Sequence, residues 1–96
     1  MANALVSIQI IPKLANGGDT YPLVDEAIKI IAESGVQYEV HPLETTMEGD
    51  LSQIMSIIEK MNQRMIELGS ISVISQVKIV YKPDGITMGS LTEKYR

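Results

Sequence analysis

Gly35-Val36-Gln37-Tyr38-Glu39-Val40-His41-Pro42-Leu43-Glu44-Thr45-Thr46-Met47-Glu48-Gly49-Asp50 is the stretch that decides the fold. Val36, Tyr38 and Val40 alternate with Gln37, Glu39 and His41. Successive side chains leave a strand on opposite faces, so this period of two marks a half-buried strand. Pro42 has no N–H to give to a ladder and ends the run. Thr45 and Thr46 favour extended backbone and begin a second short strand, with Glu48 just ahead of the next helix. The segment is therefore a hairpin.

Working back toward the N-terminus, Val24, Ala27, Ile28 and Ile31 recur at helical spacing. Asp19 or Thr20 is placed to cap that helix, Pro22 fits its first turn, and Gly35 ends it. Asp25 and Glu26 fall where the helix dipole favours negative charge. Ahead of the helix, Ala4 to Ile11 reads as a strand closed by Pro12. Ala4, Val6, Ile8 and Ile10 form its core side; Leu5, Ser7, Gln9 and Ile11 form the other. The intervening loop, Lys13 to Asp19 (KLANGGD), has a turn signal at Asn16-Gly17-Gly18. It lacks both GxGxxG and GxxxxGK[ST], so it reads as a strand-to-helix turn rather than a phosphate cradle.

Toward the C-terminus, Asp50 caps a second helix with Gln53 as its capping-box partner. Leu51, Ile54, Met55, Ile58, Met61, Met65 and Leu68 make the apolar stripe, with Ile57 and Ile66 outside it. The methionines serve as adaptable core filling. Gly69 stops the helix. Ile71 to Tyr81 alternates as a final strand, Pro83-Asp84-Gly85 turns the chain, and ITMGSLTEKYR adds an edge strand or a helical turn. The order is β-α-β-β-α-β. Right-handed crossovers put both helices on one face of an antiparallel sheet. The expected fold is α+β and ferredoxin-like, with strand order 4-1-3-2, in a single domain over residues 1–96.

Such a sheet leaves one side without helices. The residues expected there are Leu5, Ser7, Gln9, Ile11, Gln37, Glu39, His41, Thr46, Glu48, Ile74, Gln76, Lys78 and Val80. This set is too apolar for a wetted surface and too polar for a core. Burying its four aliphatics contributes on the order of 6–12 kcal/mol before association costs of similar size. A homo-oligomer is expected, its sheets meeting through this face or through their edges. Ser7, Gln9, Thr46, Glu48 and Lys78 are placed to supply donors and acceptors at the floor of a small-molecule pocket. The alternative is that Glu48 and Lys78 simply pair across strands.

Bulk properties narrow the function classes. The chain of 96 residues is long enough to bury roughly 60–70% of its unfolded surface without staples. It has no cysteine, hence no disulfide, thiol nucleophile or zinc knuckle. A net charge of −4, two arginines (Arg64 and Arg96) and no Phe or Trp argue against nucleic acid. The opening MANALVSIQIIPK lacks a basic region, and no apolar run approaches the ~20 residues of a membrane span, so a cytoplasmic protein is expected. His41, the lone histidine, makes no zinc site by itself and reads as a hairpin-end or interface residue.

Val6-Ser7-Ile8-Gln9-Ile10-Ile11-Pro12, then Tyr38-Glu39-Val40-x-Pro42, then Thr45-Thr46-x-Glu48-Gly49-Asp50, resemble the thiamine-binding (YkoF-like) family. Lys78-Ile79 and the ending from Gly85-Ile86-Thr87 to Lys94-Tyr95-Arg96 are similar to some members. The resemblance implies a ferredoxin-like subunit of dimers or tetramers. It also implies binding of thiamine or its hydroxymethylpyrimidine moiety, in supply or transport of the vitamin, with no reaction and no cofactor. It carries Thr45, Thr46 and Glu48 over as ligand-binding residues, with Ser7 and Gln9 on the neighbouring strand. An aminopyrimidine offers ring nitrogens and an amine that a carboxylate and a hydroxyl can read, and Glu48 or Glu39 can offset a thiazolium charge.

Two other classes compete. An acylphosphatase-like enzyme needs an arginine after the first strand to fork a phosphate, and KLANGGD has none. An ACT-like regulatory or structural module would oligomerise around another small ligand, but such domains usually accompany a catalytic domain.

Overall fold

A computed structural model describes residues 2–95; Met1 and Arg96, the last residue of the matching C-terminal stretch, lie outside it. The elements are β1 (Ala4–Lys13), α1 (Tyr21–Ser34), β2 (Gln37–Val40), β3 (Thr45–Gly49), α2 (Leu51–Glu67), β4 (Ser72–Tyr81) and a short α3 (Met88–Thr92). A single 3₁₀ turn, Glu93–Tyr95, follows. The sheet runs β2-β3-β1-β4, which is the expected order read from the other edge, and its pairings are all antiparallel.

The helix-covered side of the sheet is the core. Ala4, Val6 and Ile8 of β1 and Met47 of β3 are buried with Ala27 and Ile31 of α1 and Ile54, Ile57, Ile58, Met61 and Met65 of α2. The stripe on α2 is rotated from the expected one: Ile57 is buried and Met55 is exposed. Ile57 turns toward α1, where it lines a recess with Ile30, so a second helix rather than the sheet covers it.

The helix ends follow local chemistry. Asp50 Oδ2 accepts from the Gln53 N–H at 3.4 Å. Asn3 completes the cap from a distant part of the chain: its Oδ1 accepts from the Leu51 N–H at 2.9 Å and its Nδ2 donates to Asp50 at 3.1 Å. Thr20 stands at the N-cap of α1 without a side-chain bond, and Asp19 accepts from the Tyr21 N–H instead. Asp25 and Glu26 fall beyond the first turn, contrary to expectation, so they gain little from the helix dipole. Gly35 ends α1 at φ 88°, a left-handed conformation that glycine adopts without a Cβ clash.

Pro12 does not close β1, which continues to Lys13. The ladder with β3 reaches only Ile8, so beyond it that edge of β1 has no partner, and a missing N–H there costs nothing.

Candidate functional site

Strand register assembles the site. Directly paired residues share a face, and the pairings Glu39↔Thr46, Thr46↔Ser7 and Ser7↔Lys78 form one straight row across all four strands. The row therefore reads carboxylate, hydroxyl, hydroxyl, ammonium on the side away from α1 and α2. At roughly 4.8 Å per strand it spans about 14 Å. One flanking row is Gln37, Glu48, Leu5 and Val80; the other holds Gln9 and Gln76. Six of the seven expected site residues thus lie on this face, in or beside the row.

Thr45 is the seventh, and the sheet separates it from the rest. It pairs with Ile8 and Val40, faces the helices and is 6% exposed. The pairing of Glu48 with Lys78 does not form. Glu48 opposes Leu5 and Lys78 opposes Ser7, one row apart and with β1 between them. The ion pairs among the described residues are His41 with Glu39 and Glu44, and Arg64 with Glu67.

The hairpin corner organises the β2 end of the row. The His41 N–H donates to the Glu44 carbonyl at 2.8 Å. Its ring sits between two carboxylates, Nδ1 2.5 Å from Glu44 Oε1 and Nε2 3.3 Å from Glu39 Oε2. Glu44 Oε2 in turn accepts from the Thr46 hydroxyl at 2.7 Å. The Thr46 oxygen then keeps its lone pairs for an incoming donor. His41 is thus a hairpin-end residue, and among the described residues no group of three or more His, Cys, Asp or Glu side chains suits a metal ion. At the other end of the row, Ser7, Gln9 and Lys78 make no side-chain bond or ion pair among the described residues.

Two hollows lie over this face. One of about 340 Å³ stands over Ser7, Gln9, Gln76 and Lys78. Another of about 190 Å³ is walled by Leu5, Glu39, His41 and Thr46 on the sheet and by Met88, Leu91 and Thr92 of the C-terminal segment. That segment crosses the face as a strap. The Ile86 N–H donates to the Ala2 carbonyl, and the Met88 N–H donates to Glu48 Oε1 at 2.7 Å. Leu5 is consequently 7% exposed, covered by its own chain rather than awaiting a partner.

Sequence reasoning missed Glu44 and the strap. Glu44 was findable, because residues two apart in extended chain share a side and Glu44 stands two before Thr46. The strap carried no comparable signal: a five-residue helix is too short for a periodic pattern.

A four-stranded antiparallel sheet in the order β2-β3-β1-β4, with α1 and α2 on one side, defines the ferredoxin-like class of small α+β proteins. Within that class the chain belongs to the family described as thiamine-binding protein, which it matches over residues 6–96. It is 44% identical over 91 residues to a UPF0045 protein of Clostridium perfringens, covering 95% of each chain. Its fold is similar to that of a Bacillus cereus domain of unknown function, DUF77, with a TM-score of 0.91 and 35% identity, covering 100% of this chain and 93% of that one. A candidate thiamine biosynthesis/salvage protein of Thermotoga maritima is similar at a TM-score of 0.87 and 32% identity, covering 98% of this chain and 99% of that one.

Proposed function

We propose that this protein binds thiamine or its hydroxymethylpyrimidine moiety without chemical turnover, in supply or transport of the vitamin within the cytoplasm. The observation that carries this reading is the row Glu39, Thr46, Ser7, Lys78. A flat aminopyrimidine laid along it gives its exocyclic N–H groups to the Glu39 carboxylate and the Thr46 oxygen. Its ring nitrogens accept from the Ser7 hydroxyl and the Lys78 ammonium. Gln9 extends the polar floor. Glu48 is partly committed to Met88, so its contribution is the wall it holds in place and its negative charge near a thiazolium. For a fragment of ~10 heavy atoms, about 0.6–0.8 kcal/mol per atom corresponds to micromolar binding.

A second copy of the chain associates with the first in this reading, through the open side of the sheet or through its edges. The free edge of β4 supports it. Ten residues long, that edge exposes Ile74 and Val80 on one face and Val77, Ile79 and Tyr81 on the other, with Ile66 and Ile71 close in sequence to its start. Long, apolar, unpaired edges associate with another strand, and a twofold axis allows β4 to pair with its own copy.

Titration calorimetry with thiamine and with hydroxymethylpyrimidine tests the ligand; no heat up to about a millimolar sinks it. Light scattering tests the assembly. The protein is expected to run as a dimer or tetramer, and Ile79→Lys to shift it toward a single chain. A wild-type protein of single-chain mass overturns the assembly.

A further inference from the structure

The hollow of about 190 Å³ beneath the C-terminal strap can hydrogen-bond in one direction only. Leu5, Met88 and Leu91 give it apolar walls, and Glu39, His41, Thr46 and Thr92 give it polar ones. Both hydroxyls already donate inside the protein, Thr46 to Glu44 Oε2 at 2.7 Å and Thr92 to the Met88 carbonyl at 3.0 Å. A carboxylate and a carbonyl oxygen only accept, so neither direction can reverse. The Met88 N–H is given to Glu48 Oε1 at 2.7 Å. His41 turns Nδ1 to Glu44 and Nε2 to Glu39. What these groups hold out to a visitor is oxygen: the acceptor sites of the Glu39 carboxylate and the lone pairs of Thr46 and Thr92.

The other end of the same row differs. Ser7 makes no side-chain bond among the described residues, so its hydroxyl turns to give or to take. Glu44 and Glu48 line neither hollow, yet by taking the protons of Thr46 and Met88 they set the polarity of the one under the strap. A cavity of ~150 Å³ with aliphatic walls holds a benzene, so the edge of a pyrimidine fits here. A carbonyl oxygen on that edge would meet only other oxygens, and an acceptor left unmet beside apolar walls costs its desolvation.

We propose that this hollow is a donor-only subsite, which takes the amino edge of a flat ring and rejects the same ring carrying an oxo group there. Glu44 is its positioning residue, acting through the direction of the Thr46 hydroxyl. The inference rests on the reading of this face as a pyrimidine site.

Calorimetry with hydroxymethylpyrimidine, a 4-amino ring, and with its 4-oxo counterpart tests it. The amino ring is expected to bind at least ~30-fold more tightly. Glu44→Ala frees the Thr46 proton to meet a carbonyl and is expected to shrink that ratio about fivefold. Thr46→Val, which keeps the shape and removes the hydroxyl, is expected to shrink it equally, and Thr46→Ser to retain it. Adding Glu44→Ala to Thr46→Val is expected to leave the ratio where Thr46→Val put it, as for a residue that acts through another. The remaining preference belongs to Glu39, which accepts in every variant. A Glu44→Ala effect that persists without the Thr46 hydroxyl overturns the proposal, because the charge of Glu44 would then be the cause. Equal binding of the two rings by the wild type overturns it as well and leaves the vitamin reading standing. Heat from neither ring removes that reading, and the donor-only subsite with it.

Discussion

Ala4, Val6 and Ile8 of β1 are sealed beneath α1 and α2, whereas one position along, Ser7 and Gln9 stand on a side that no long helix covers. The two sides share a backbone and differ only in parity along the strand. On the helix side, residue type is chosen by volume, because close-packed interiors register a single methylene. On the other side, side chains are spaced by register, and the result is a line of polar groups rather than a packed layer. Stability therefore resides on the helix side, and the proposed recognition falls on the other.

Four substitutions probe that contrast. The largest effect is expected from Ile54→Ala, which removes a fully buried side chain and should lower unfolding free energy by about 2–5 kcal/mol in urea titrations, against less than about 0.5 for Ser7→Ala. Equal costs for the two would erase the distinction. Next is Glu48→Ala, the point where the strap is tied to the sheet. Loss of a hydrogen bond to a charged, partly buried acceptor is expected to cost about 1–2 kcal/mol. Hydrogen exchange at the Met88 amide should rise while the amides of β1 keep their protection; uniform loss across β1 would mean that the strap belongs to the core. The smallest in stability is Glu39→Gln, which should leave unfolding nearly unchanged. It is expected to weaken thiamine about tenfold and the neutral pyrimidine only about twofold, a difference of ~1 kcal/mol that calorimetry resolves. Identical losses for both ligands would remove the carboxylate's charge from the account.

Most of the fold was legible because two periods carried it. Alternation in Val36 to His41 and in Ala4 to Ile11 assigned both sides of the sheet, and the register keeps every one of those assignments within the strands. The 3.6-residue period of α2 fixed its existence but not its rotation, since Met55 and Ile57 are equally apolar and only the position of α1 chooses between them. The expected ligand set was legible as residue types. The separation of Thr45 from Thr46 was not drawn from it, although adjacent residues in a strand cannot point the same way. Asn3 as a cap for α2, 48 positions away, has no local signature at all.

The first strand lies in the middle of the sheet and its long partner is the last. Residues 4–13 pair with residues 72–81, so the span that must be looped before those bonds form is most of the chain. Closing so wide a loop costs entropy ahead of any reward, which slows folding. As the polypeptide leaves the ribosome, Ala4 to Lys13 has no β4 beside it until nearly everything else has been made. Until residues 72–81 emerge, the edge of β1 that β4 will cover keeps its backbone groups unpaired and open to strands of other chains.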